Sequence, residues 1–67
     1  MNHIVHYYES IDSDGKTWRY AYYAAFSGYE VYQLELDAFG TAYYCYSHWG
    51  TELPVNHIEV WSERNTI

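Results

Sequence analysis

Cysteine, proline, basic side chains and long apolar runs are all scarce in this 67-residue chain, and each scarcity removes a class of protein. A lone cysteine, Cys45, cannot close an intrachain disulfide, which excludes the disulfide-stapled scaffold of small secreted domains. Its neighbours Tyr43, Tyr44 and Tyr46 offer no basic group to activate a thiolate, so Cys45 reads as a small buried hydrophobe. No stretch approaches the roughly 20 apolar residues of a membrane-spanning helix. The first six residues carry neither a basic region nor a long apolar run, so no secretory leader is read there. The expected setting is cytoplasmic, or the host's cytoplasm if the chain is phage-encoded.

Only Lys16, Arg19 and Arg64 oppose nine acidic side chains, for a net charge of −6. Nucleic-acid affinity comes mainly from Lys and Arg neutralising phosphates, so direct binding of DNA or RNA is not expected. Anionic membranes are disfavoured for the same reason. A basic protein or nucleoprotein complex is the partner such a charge favours.

Catalytic motifs are also missing. The chain has no G-x-S-x-G, no P-loop and no Gly-rich dinucleotide fingerprint, and no enzyme activity or cofactor is expected. Cys45 and His48 form a conceivable nucleophile–base pair, but strand periodicity sets them on opposite faces. His3, His6, His48 and His57 show no zinc-type spacing, and no metal site is expected. Ser10-x-Asp12-x-Asp14-Gly15 resembles the opening of a calcium loop, yet the twelfth position is Ala21 where a bidentate Glu is required. An Asp-Gly hairpin turn is the simpler reading.

What the chain has in abundance is aromatic surface. Ten Tyr, three Trp and two Phe make up 22% of its residues. Each such ring can bury about 150–250 Å², and Tyr keeps a polar tip, so many rings are expected at the core edge or on an exposed face. Four glycines, Gly15, Gly28, Gly40 and Gly50, separate runs rich in Tyr, Val, Ile, Thr and Trp, the mark of successive short strands. The runs are residues 3–11, 17–26, 29–37, 41–48 and 57–62. They predict one all-β domain over 1–67, a small antiparallel sheet or meander of four to five strands. A β-rich α+β fold with one short helix, in 20–30 or 50–56, is the alternative.

Period-two alternation turns Tyr32, Leu34 and Leu36 inward on the third run and Gln33, Glu35 and Asp37 outward. Glu35 and Asp37 then lie about 7 Å apart on one face, with Glu30 near the start of the run. Glu52, Glu59 and Glu63 add to this display if the last strand lies nearby. Tyr23 and Tyr43 supply aromatic partners of the kind enriched where interface energy concentrates. The candidate partner-binding residues are therefore Glu30, Glu35, Asp37, Tyr23, Tyr43 and Glu59.

The functional expectation is an inhibitor that docks acidic and aromatic groups onto the basic nucleic-acid-binding surface of a larger complex. Anti-CRISPR and anti-restriction proteins are the functional class with that character. The alternative is an assembly module that forms a homodimer or binds a neighbouring subunit through a tyrosine-rich sheet face. A ligand-binding module that stacks substrates on Trp18, Trp49 and Trp61 is a third reading.

Overall fold

The computed structural model describes the backbone of residues 2–66 and the side chains of residues 6–61. Five strands make one antiparallel sheet: β1 (Asn2–Ile11), β2 (Thr17–Tyr23), β3 (Gly28–Leu36), β4 (Ala42–Gly50) and β5 (Ile58–Thr66). The only helical turn among the described residues is a 3₁₀ turn at Ala24–Phe26. No described helix is long and apolar enough to cross a membrane. The expected all-β antiparallel sheet is what the chain forms.

The first four strands are a meander. Two of its turns share one design, Asp-x-x-Gly-x. At Asp12–Lys16 and at Asp37–Thr41 the Asp carboxylate accepts two backbone N–H bonds, at 2.8–3.0 Å. The Asp backbone N–H bonds the fifth residue's carbonyl, and the Gly N–H bonds the Asp carbonyl. Gly15 and Gly40 both have φ +80°, the left-handed conformation that Gly adopts without a steric penalty. Trp18 donates its indole N–H to Asp12 and braces the first turn. Asp12 thus works as a turn residue. The second β-run stops at Tyr23, three residues earlier than its alternation suggests, because Ala24–Phe26 winds into the 3₁₀ turn and Ser27 takes a left-handed conformation.

The fifth strand breaks the meander. The sheet order is β4-β3-β2-β1-β5, so residues 51–57 carry the chain from one edge to the other. They pass over the face that holds Tyr8, Ser10, Tyr20 and Val31. Leu53 and Pro54 line one pocket with Tyr20 and Val31, Asn56 accepts a bond from the Ser10 hydroxyl, and His57 meets the edge of the Tyr8 ring at 5.4 Å. Tyr29 packs among Tyr8, Tyr20 and Tyr22 on this covered face, with ring centroids 5.1–6.3 Å apart. Val31, at its centre, is 1% exposed.

The opposite face has no covering element among the described residues. It is paved by its own side chains, and Ala21, also 1% exposed, is sealed beneath Tyr7, Arg19, Tyr23, Tyr32 and Tyr44. The Tyr44 hydroxyl on β4 reaches Glu9 on β1 at 2.8 Å. Three strand spacings in a flat sheet are about 14 Å, more than the two side chains span together, so the sheet bows towards this open face. It does not close: β4 and β5 stay as free edges. The Cα radius of gyration is 13.0 Å, against about 11 Å for a compact domain of this length.

This arrangement reverses one expectation. Leu36, assigned inward by alternation, is 68% exposed, whereas Val31 of the opposite parity is buried. The alternation itself holds, but the covering segment crosses the other face. Cys45 is likewise exposed, because edge strand β4 carries it past the reach of residues 51–57.

Candidate protein-binding face

Strand pairing places Tyr7, Glu9, Arg19, Ala21, Tyr23, Glu30, Tyr32 and Tyr44 on the open face. At its centre the Arg19 guanidinium bonds Glu9 at 2.8 Å and lies 4.3 Å from the Tyr44 ring centroid and 5.8 Å from that of Tyr7. Arg19 and then the Tyr44 hydroxyl hold the Glu9 carboxyl below the usual carboxylate range. Burial, and then the bond to Glu9, push the Tyr44 phenol up.

A second carboxylate on this face, Glu30, accepts the Tyr32 hydroxyl at 3.2 Å and lies beside the Tyr23 phenol. Burial and then the interaction with Glu30 push the Tyr23 phenol up to about 12. Burial and the Glu30 charge raise Tyr32 as well. No cation pairs with Glu30 among the described residues.

Around this polar centre runs an exposed apolar rim. Tyr46 (56% exposed) and Trp49 (43%) stand on the β4 side, and Ile58 (64%) and Trp61 (54%) on the β5 side. Trp61 stacks on Tyr7 at 5.1 Å, and Tyr46 meets the edge of Tyr32 at 5.7 Å. Trp49 lies flat over Gly28, where a side chain would not fit, and touches Phe26.

Both edge strands carry a bulge, β4 at Ser47 and β5 at Val60, each the extra residue between two register pairs. A bulge interrupts the row of free backbone groups and discourages edge-to-edge strand addition. The Ser47 bulge has a further effect. Cys45 and His48 lie on the same face, not on opposite faces as an unbroken strand would place them. The His48 ring bonds the Ser47 hydroxyl, at 2.8 Å.

The six candidate residues do not gather into one acidic display. Glu30 and Tyr23 share the open face. Glu35 and Tyr43 are a cross-strand pair on the other side, beyond the covering segment. Asp37 lies past the end of β3, its carboxylate committed to turn N–H groups. Glu59 is on that same other side at the far edge, bonded to His6 at 2.7 Å, because β5 pairs with β1 and not with β3. Glu63 lies outside the described side chains. The rim residues Tyr46, Ile58 and Trp61 were not singled out as candidates for this face. Their signal in the sequence was only their size, since the bulges decide which way β4 and β5 turn their side chains.

The Arg19 unit is testable. Replacing Arg19 with Met keeps a stem between the two rings but leaves Glu9 without its cation. With both groups about a quarter to a third exposed, the expected cost is about 1–2 kcal/mol, below that of a fully buried pair. Glu9 has a depressed pKa, so its contribution is present above the unfolded carboxyl value and is lost as pH falls through the folded one. Urea midpoints measured over that acid range should fall less steeply in Arg19→Met than in the parent. Parallel acid limbs would show that the pair contributes nothing.

No protein-family model, no curated protein and no solved structure matches the chain.

Proposed function

We propose that this is a non-catalytic interaction domain that binds a basic protein or nucleoprotein complex through the bowed open face of its sheet. By occupying a surface built for nucleic acid, it acts as an inhibitor of the anti-CRISPR or anti-restriction kind. The observation that carries the reading is the uncovered face itself. Tyr46, Trp49, Ile58 and Trp61 stand exposed around a polar centre whose Glu30 carboxylate has no cation partner among the described residues. Rigid aromatic anchors flanking a charge are what interface hot spots are made of. A net charge of −6 favours a basic partner over a second copy of the chain, since two copies repel.

The test is capture of the partner from host lysate by the tagged protein, followed by an assay of the captured complex on its own nucleic acid. The expected result is a nucleic-acid-binding complex that no longer binds DNA or RNA. Recovery should fall at high salt and in Tyr46→Ser/Ile58→Ser, and persist in Glu35→Gln on the other face. Recovery unaffected by the open-face variant, or a captured complex that still binds nucleic acid, overturns the reading.

Self-association is the second reading, supported by the chain's open shape. Light scattering at low and high salt separates the two. A dimer that tightens as salt screens the charge, and that Tyr46→Ser/Ile58→Ser dissolves, identifies an assembly module.

A further inference from the structure

We propose that the Glu30 carboxylate, walled by Tyr23, Tyr32, Tyr46 and Trp49, is the seat for one arginine side chain of the partner. This inference rests on the open-face reading above and names the chemistry it recognises.

The fold supplies its own template. On the same face, Glu9, Tyr44 and Arg19 form a closed unit: the carboxylate accepts a phenol and a guanidinium, each at 2.8 Å, and the guanidinium lies against the phenol's ring. Glu30 repeats the first half of that unit. It accepts a phenol bond from Tyr32, with the Tyr23 phenol beside it, and Tyr46 leans edge-on against Tyr32. Trp49 is its cross-strand partner on β4. Among the described residues no guanidinium completes the unit at Glu30. A carboxylate has about four acceptor positions, so the Tyr32 bond, with the Tyr23 phenol close by, leaves room for a bidentate donor. The same phenols pre-organise the carboxylate, which lowers the ordering cost of binding.

The geometry selects arginine over lysine. A planar guanidinium can lie on a Tyr or Trp face and present two parallel N–H donors, whereas an ammonium is a compact, strongly hydrated point charge. Arginine already occupies the equivalent place beside Glu9. A second copy of the chain is a poor source, because two copies of net charge −6 repel and Arg19 is engaged in its own unit.

The probe is a peptide of four Arg-Gly repeats, with the Lys-Gly counterpart as comparison, titrated at low salt and followed by calorimetry and by amide and indole N–H shifts. The expected result is shifts centred on Glu30, Tyr32, Tyr46 and the Trp49 indole. Arg-Gly should bind at least about threefold tighter than Lys-Gly, and Glu30→Gln should lose about tenfold, the scale of one charge-assisted contact. Glu35→Gln and Glu52→Gln should each change affinity less than about twofold. Gln keeps a carbonyl to accept the Tyr32 phenol, so the fold should survive. If Glu30→Gln does not fold, Tyr46→Leu removes one aromatic wall at an exposed position and should still abolish the preference for Arg. Equal losses in Glu30→Gln and Glu35→Gln, or equal binding of the two peptides, would overturn the seat. If the peptide shows no Glu30 dependence while partner capture still needs Tyr46 and Ile58, the arginine seat fails and the interaction reading stands. If Glu30 governs peptide binding but the open-face variant captures the partner undiminished, the seat stands and the interaction reading falls.

Discussion

Replacing Gly28 with alanine should cost about 1.5–2 kcal/mol and release the Trp49 indole into water. A Cβ built on Gly28 falls 2.2 Å from Trp49 Cζ2 and 2.6 Å from Cε2, separations that no packed carbon tolerates. Gly28 does not have a positive φ, so alanine brings no backbone penalty, and the substitution reads the clash alone. The indole must leave the surface of β3 and give up its contact with Phe26. Losing the burial of a large side chain costs about 1.5–3 kcal/mol, and a half-exposed ring loses the lower part of that range. A domain of this length has only about 3–10 kcal/mol in total, so the shift in urea midpoint should be plain. Trp emission should move to the red at the same time. Trp49→Ala in the same chain should absorb most of the effect, because the two positions share one contact. An unchanged midpoint for Gly28→Ala would mean that the indole does not lie on β3. Trp49 would then also be lost as a wall beside Glu30.

Raising the pH should unfold the domain between about 10 and about 12, and tyrosine is the reason. Tyr23 is pushed up to about 12, by burial and then by its interaction with Glu30. Tyr8, Tyr20, Tyr32 and Tyr44 are raised too, each chiefly by burial. A group whose folded pKa lies above its unfolded value of 10.0 holds its proton longer in the folded state. Its stabilisation is complete below the unfolded value and is lost as pH rises through the folded one. A shift of Tyr23's size corresponds to at most about 3 kcal/mol, and the other four act in the same direction. Phenolate absorbance and far-ultraviolet circular dichroism, followed together, should show one cooperative step in which ionisation and loss of sheet coincide. Tyr23→Phe should move that step to higher pH. Ionisation of every tyrosine near 10 with the sheet intact would show that the phenols are not held by the fold.

Local chemistry accounts for a large part of this molecule. The two Asp-x-x-Gly turns follow from a carboxylate that can accept two backbone N–H groups and a glycine free to take positive φ, and both ingredients are adjacent in the chain at 12–15 and 37–40. The β-branched and aromatic runs between glycines specify strands for the same local reason, and five strands form. The near-absence of cations is compositional and needs no fold to be seen. Tertiary structure decided the rest. Alternation sorts Val31 and Leu36 onto opposite faces but does not say which face is covered; that depended on residues 51–57 crossing one side to reach β1. The same crossing separated Glu59 from Glu35 and left Glu30 with Tyr23 on the open side. The bulges at Ser47 and Val60 then reversed the alternation within β4 and β5, bringing Trp49 and Trp61 onto the face of Glu30. A strand's existence is written in its own residues. Its partner, and hence the company its side chains keep, is a long-range choice made by whichever pairing buries the most surface.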